Sequence, residues 1–138
     1  VAYLLNDVTL GEDGLERYVK SLQEIIDKLK EKDIEIIMLL YCTTCYKTSS
    51  QLKELILIKN ADLLVKMQNE GVLNKYMCAA KELCERNNVK MVDLASVWDR
   101  LEKNGVDTTE LLTNKLNHPF REYHYYVAIK LIEAMFEI

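Results

Sequence analysis

Residues 34–41, Ile34-Glu35-Ile36-Ile37-Met38-Leu39-Leu40-Tyr41, form the stretch of sequence that decides the fold. The run is short and rich in β-branched and other large apolar residues, a pattern typical of a strand covered on both faces of a parallel sheet. It falls well short of the roughly 18 to 20 apolar residues that span a bilayer. We therefore interpret it as a core strand and not as a membrane anchor.

Outward from this run, short apolar stretches alternate with stretches whose apolar residues recur every three or four positions, which predicts strands alternating with helices. The predicted elements are a strand over 1–5, a helix over 15–30, a strand over 34–41, a helix over 61–86 with Gly71 as an interruption, a strand over 89–94, a loop-rich segment over 95–117 and a helix over about 121–137. Such alternation builds a parallel sheet with helices on both sides. The sequence thus predicts one α/β domain spanning residues 1–138.

The charge balance argues against polyanionic partners. Eighteen Lys and Arg residues stand against 22 Asp and Glu, giving a net charge of -4 and a pI near 5.3. No global basic field would attract nucleic acid or an anionic membrane surface. No basic region precedes the apolar start of the sequence, so we expect no signal peptide and place the protein in the cytoplasm.

The four cysteines and four glycines offer little for a metal or a nucleotide. Cys42 and Cys45 form one C-x-x-C pair, whereas Cys78 and Cys84 are six residues apart in a predicted helix and point to different faces. We expect free thiols in a reducing compartment and no metal. No Gly-rich phosphate cradle follows a predicted strand, so we expect no nucleotide or flavin cofactor either.

Polar residues follow the predicted strands. Asn6 and Asp7 come after the first, residues 42–50 after the second, and a long stretch leading to His118 after the third. The carboxyl ends of parallel strands meet at one edge of a sheet, so all three segments can reach one crevice. Taken alone, Asn6 is a common turn residue, and a histidine at a helix entry is more often a capping group than a catalyst.

The order of these motifs resembles the SGNH, or GDSL-type, ester hydrolase family over essentially the whole chain. Leu4-Leu5-Asn6-Asp7 is similar to the family's G-x-N-D motif, and Asn117-His118-Pro119 to its N-H-P motif. The resemblance implies a flavodoxin-like three-layer α/β/α sandwich. It also implies that His118 is the general base and acid, and that the Asn6 amide is a hydrogen-bond donor in the oxyanion hole.

The chain departs from the family pattern at several positions. No Gly-Asp-Ser turn supplies a nucleophile, so the resemblance is to a C-terminal portion that lacks the first strands. Leu4 and Tyr123 stand where the family has glycine, and Lys115 replaces an aspartate three residues before the histidine. Glu110 and Asp107 are then the candidate carboxylates to orient His118, unless a backbone carbonyl does so, as in a Ser-His dyad.

The function implied is hydrolysis of a small carboxylic ester, with an acetylated carbohydrate among the substrates considered. The alternative from the residues themselves is a non-catalytic α/β interaction module or degenerate hydrolase, since a chain without the nucleophile cannot run the reaction alone. Missing strands would leave an open sheet edge and an apolar face. We therefore expect a homo-oligomer or a poorly soluble chain.

Overall fold

The computed structural model describes residues 1–2 and 4–137 of the chain. Its elements are α1 (Leu5–Val8), α2 (Leu15–Lys30), β1 (Ile37–Leu40), α3 (Leu55–Asn69), α4 (Val72–Arg86), β2 (Lys90–Asp93), α5 (Ala95–Lys103) and α6 (Arg121–Phe136), with a short 3₁₀ turn at Glu12–Gly14 before α2. The fold is mixed α/β, as the sequence predicts. None of the helices in the described part of the chain is both long and apolar enough to cross a membrane.

In the described part of the chain the sheet has two strands, β1 and β2, which are parallel. Its register pairs Ile37 of β1 with Lys90 of β2, and Leu40 with Asp93. On the other side of β1, the amino group of Val1 donates to the Ile37 carbonyl at 2.8 Å, and the Leu39 amide donates to the Val1 carbonyl at 2.8 Å. The chain start therefore continues the parallel pairing next to β1.

Helices contact both faces of this sheet. On one face, Lys81 of α4 forms an ion pair with Asp93 of β2 at 2.6 Å. Side chains alternate between the two faces along a strand, so Lys90, three residues before Asp93, belongs to the other face. There its ammonium group binds Glu137 at the end of α6 at 2.8 Å. α4 and α6 thus lie on opposite sides of the sheet.

Two groups of buried side chains hold these layers together. The larger one, which we call the α2–α4 core, joins α2, α4 and β1 and contains Ile26, Met38 and Tyr76. The smaller one, the Trp98 core, lies under α6 and the segment before it. Its fully or largely buried members are Cys45, Ala61, Leu64, Trp98, Leu112, Leu116 and Tyr123.

Several element predictions are confirmed. α2 has the predicted limits, and β1 and β2 lie inside the predicted strands. Gly71 does separate α3 from α4, because its φ of 73° is a left-handed conformation that glycine adopts without strain.

Three predictions were wrong in detail. The segment 95–117 is not all loop, since α5 occupies its first part, and α3 begins at Leu55 and not near residue 61. Asn6 lies in a helical turn and not at the end of a regular strand. The predicted strand over 1–5 includes Tyr3, which lies outside the described residues.

Candidate active site

The loop before α6 carries His118 and is closed like a small hairpin. Leu112 and Pro119 form an antiparallel bridge, and the Phe120 amide donates to the Leu111 carbonyl at 2.9 Å. Inside this closure, the Thr113 amide donates to the His118 carbonyl at 2.7 Å. The backbone of His118 is therefore fixed on its carbonyl side.

A single asparagine fixes the other side of the same loop. The Oδ1 atom of Asn114 accepts hydrogen bonds from the backbone amides of Leu116, Asn117 and His118 at 3.0, 3.0 and 2.9 Å. Its side-chain nitrogen donates to Oδ1 of Asn117 at 3.0 Å. The Asn114 side chain thus takes the place of backbone acceptors in this loop and fixes the backbone position of His118.

The segment after β1 holds this loop against the sheet. The Thr43 hydroxyl donates to the Asn117 carbonyl at 3.0 Å, and the Cys45 amide donates to the Leu116 carbonyl at 2.8 Å. Trp98, 1% exposed, supports the segment by donating its indole N–H to the Thr44 carbonyl at 3.1 Å. Two of the three predicted site segments are therefore in direct contact.

Asn6, from the remaining predicted segment, is exposed on α1. Its backbone carbonyl accepts a hydrogen bond from the Thr9 hydroxyl at 2.7 Å. Within residues 1–2 and 4–137, its side-chain amide forms no hydrogen bond, so its N–H groups are free to meet a ligand.

Asn6 and the His118 loop meet at one pocket of about 230 Å³. Asn6 lines it from α1, Asn117 from the loop and Asn60 from α3. The remaining lining residues are Leu5, Thr9, Leu63, Leu64 and Leu116. Apolar side chains with a few converging amides are the usual composition of a small-molecule site, and the volume is below the range for drug-sized ligands.

The His118 side chain is exposed next to this pocket, which its neighbour Asn117 lines. Among the described residues no group hydrogen-bonds the imidazole. Two residues of the His118 loop, Leu116 and Asn117, line the pocket. His118 itself lies beside the pocket and is not part of its wall. The structure thus brings Asn6 to the loop that carries His118.

The two candidate carboxylates are bound elsewhere. Asp107 pairs with Lys47, and this ion pair lowers the pKa of Asp107 below its ordinary value. Glu110 accepts hydrogen bonds at 3.0 Å from Lys115 and from Gln51. Lys115, three residues before His118, therefore holds Glu110, and neither carboxylate hydrogen-bonds His118 among the residues that the structure describes.

The Cys42 and Cys45 thiols are buried, Cys42 in the α2–α4 core and Cys45 in the Trp98 core. Burial raises the pKa of Cys42 to about 12 and that of Cys45 to about 11. The Cys45 thiol contacts the Ala61 carbonyl at 3.9 Å. Thiols in this state are poor nucleophiles and poor metal ligands. Across the described residues, no group of three or more His, Cys, Asp or Glu side chains could hold a metal ion.

The sequence predicted Asn6 and His118 as site residues but missed those that complete the pocket and fix its loop. Asn60 and Leu63 come from a part of α3 that was predicted as loop or helix start, with no signal for a ligand. Asn114 does carry a sequence signal, for a turn, because asparagine side chains commonly hydrogen-bond the backbone of the residues that follow them in loops.

Comparison of the chain with known proteins gives no match: no family model, no curated protein and no solved structure is significantly similar to it.

Proposed function

We propose that this chain is the asparagine- and histidine-bearing portion of an SGNH-type carboxylic ester hydrolase with a flavodoxin-like sandwich fold. One observation carries the proposal: Asn6 and the loop of His118, from opposite ends of the sequence, adjoin the same pocket. The free side chains of both residues are consistent with groups kept for a ligand. Each fits the role that the family resemblance gives it.

In the proposed reaction, a serine hydroxyl attacks the ester carbonyl carbon while the His118 imidazole takes its proton. The Asn6 amide donates to the oxyanion that develops on the carbonyl oxygen. Protonated His118 then gives its proton to the leaving alcohol, and water hydrolyses the acyl-enzyme by the same steps. Gly11, Gly14, Gly71 and Gly105 precede no Asp-Ser pair, so the serine belongs to a segment outside these 138 residues.

The pocket indicates the substrate class. Four leucines give it apolar walls suited to a short acyl chain, and three asparagines offer amides to oxygen atoms. A volume of about 230 Å³ favours a small acyl group on a polar alcohol. An acetylated carbohydrate has this composition.

The first test uses the chain joined to the residues that its gene encodes before Val1, with p-nitrophenyl acetate as substrate. His118→Ala should lower kcat by several orders of magnitude, and Asn6→Ala by about 10² to 10³ with little change in KM. His124→Ala, at the exposed second histidine, is the matched control and should leave kcat unchanged. Normal turnover without His118, or no serine turn upstream, would refute the enzyme assignment.

A second test uses the chain alone and reports on the pocket. Titration with butyrate, a short acyl oxyanion, should shift the side-chain amide signals of Asn6 and Asn117 in NMR spectra in a saturable way. Leu63→Trp, which fills part of the pocket, should abolish the shift. Shifts confined to other asparagines would refute the pocket as the acyl site.

The alternative function is a non-catalytic α/β interaction module. It is favoured by a row of exposed apolar side chains on α6, including Ile129 and Phe136, which are 53% and 66% exposed. An unmodified chain that neither binds butyrate nor gains activity with its upstream residues would favour this alternative.

A further inference from the structure

α6 exposes a continuous apolar row, which we call the α6 stripe. Its members are Tyr125, Ile129, Ile132, Met135 and Phe136, exposed by 62%, 53%, 47%, 57% and 66%. Four of them follow the spacing of four, three and four residues that keeps side chains on one side of a helix. The stripe therefore runs along the outer side of α6 from its second turn to its end.

The charged residues along the middle and end of α6 are paired. Lys130 and Glu133 lie at its margin and bind each other at 2.6 Å. Glu137 binds Lys90 at 2.8 Å. Removing water from an unpaired charge would oppose association, and these three charges of α6 already have partners.

The size of the stripe suits a protein partner. Large side chains carry on the order of 200 Å² each, so their exposed fractions amount to roughly 500 to 600 Å². A patch of this size is at the upper end of about 300 to 600 Å² for the largest apolar patch of a monomer. It supplies most of the roughly 800 Å² that each partner contributes to a standard interface.

We propose that the α6 stripe binds the α6 stripe of a second copy of this chain, with the two helices antiparallel across a two-fold axis. In this register, Tyr125 lies opposite Phe136 and Ile129 opposite Ile132. Such an interface is self-complementary, as two-fold symmetry requires. Apolar side chains would then cover apolar side chains along the whole stripe.

The helix dipoles favour the antiparallel orientation. The first turn of α6 carries both Arg121 and Glu122, whose opposite charges offset each other. The partial positive charge at the start of each helix then approaches the partial negative charge at the end of its partner. A parallel pair would instead bring like ends of the two helices together.

Sedimentation equilibrium of the chain over a range of concentrations tests the interface. The wild-type chain should be dimeric at micromolar concentrations, and the double variant Ile129→Glu/Ile132→Glu should be monomeric. The double variant Leu55→Glu/Ile56→Glu is the matched control, since it removes two apolar residues that are even more exposed, 66% and 60%, from α3. Thermal melts followed by circular dichroism would verify that each variant is folded.

A monomeric wild-type chain would overturn the proposal and leave the stripe to another partner. A dimer that survives the α6 substitutions, or that the α3 control dissociates, would overturn it as well. None of these outcomes depends on ester hydrolysis.

Disulfide cross-linking tests the orientation. In a Cys78→Ser background, Tyr125→Cys/Phe136→Cys should form covalent dimers on mild oxidation, whereas each single cysteine variant should not. Two copies of residue 125 would be about 16 Å apart in the antiparallel register, too far for a disulfide. Efficient cross-linking of the Tyr125→Cys variant alone would overturn the antiparallel arrangement.

Discussion

At the scale of single residues, the position of His118 depends on Asn114 more than on the N-H-P motif itself. Three backbone amides of the loop converge on the Asn114 side-chain oxygen at 2.9 to 3.0 Å. The sequence could predict that His118 lies just before a helix, because Pro119 and the apolar positions after it indicate a helix start. It could not predict that Asn114 fixes the backbone of His118, since that depends on the path of the loop.

Replacing Asn114 by alanine should release this loop. Three backbone amides, two of them in partly buried hydrogen bonds, would lose their acceptor, which we expect to cost about 1 to 3 kcal/mol in the free energy of unfolding. Hydrogen exchange of the Leu116 to His118 amides should accelerate more than that of β1. Asn104→Ala is the control, because Asn104 only donates to the Arg100 carbonyl of its own helix. Equal effects of both substitutions would contradict the positioning role of Asn114.

The four thiols should differ sharply in reactivity. Cys78 is exposed, whereas Cys42, Cys45 and Cys84 are buried. Burial raises the pKa of Cys42 from 9.0 to about 12 and that of Cys45 to about 11. Ellman's reagent at pH 8 should therefore titrate one thiol in the native chain and four in denaturant. Rapid reaction of more than one native thiol would show that these side chains are accessible.

The same two pKa values predict alkaline lability. A thiol that ionises less readily when folded stabilises the protein fully below its unfolded pKa. That stabilisation is lost as the pH rises from about 9 towards 11 and 12. The free energy of unfolding measured in urea should fall over this range, and less steeply in a Cys42→Ala variant.

At the scale of elements, the strongly periodic helices were predictable and the capped ones were not. α2 repeats its apolar residues over four turns, so its limits follow from the sequence. α5 has only nine residues and was assigned to a loop. Its start depends on Asp93, whose carboxylate accepts a hydrogen bond from the Ser96 amide at 2.9 Å. The sequence pattern indicates only that Asp93 ends a strand.

Asp93 also shows how burial and hydrogen bonding compete. Burial alone would raise the pKa of Asp93, but hydrogen bonds from Lys81 and Ser96 outweigh it, and the pKa is lowered. Asp93→Ala should reduce the free energy of unfolding at neutral pH by about 0.5 to 2 kcal/mol, the usual effect of losing an N-cap. Glu70→Ala, which removes an exposed ion pair with Lys66 at the end of α3, is a control with a smaller expected effect.

The pH dependence gives an independent check on Asp93. A carboxylate with a lowered pKa contributes its stabilisation above the unfolded pKa and loses it as the pH falls through the folded one. The difference in unfolding free energy between wild type and Asp93→Ala should therefore be largest near neutral pH. It should shrink as the solution is acidified below about pH 4. A difference that does not change with pH would exclude the charged cap.

At the scale of the whole molecule, the mixed α/β class and the parallel pairing of β1 with β2 were predictable from the sequence, whereas the surfaces were not. Parallel strands bring the segments after them to one edge, and Asn6 and the loop of Asn117 line one pocket although Asn6 lies in a helical turn. The α6 stripe was not predicted as a feature, because Ile129 and Val127 are equally apolar in sequence. Only the packing of α6 on β2 decides which of them faces inward.

The two cores should also differ in stability. The α2–α4 core contains seventeen buried residues and the Trp98 core seven, and α6 contributes only one of them, Tyr123. Local opening requires less free energy where fewer apolar side chains are buried. In the monomeric Ile129→Glu/Ile132→Glu variant, the amides of α6 should therefore exchange at a lower free energy than those of α4.

In the wild-type chain, dimerisation should add protection to α6 that increases with protein concentration, because mass action stabilises only the paired state. Exchange of α6 at the same free energy as α4 in the variant would contradict the two-core description, and concentration-independent protection in the wild type would contradict pairing through the stripe.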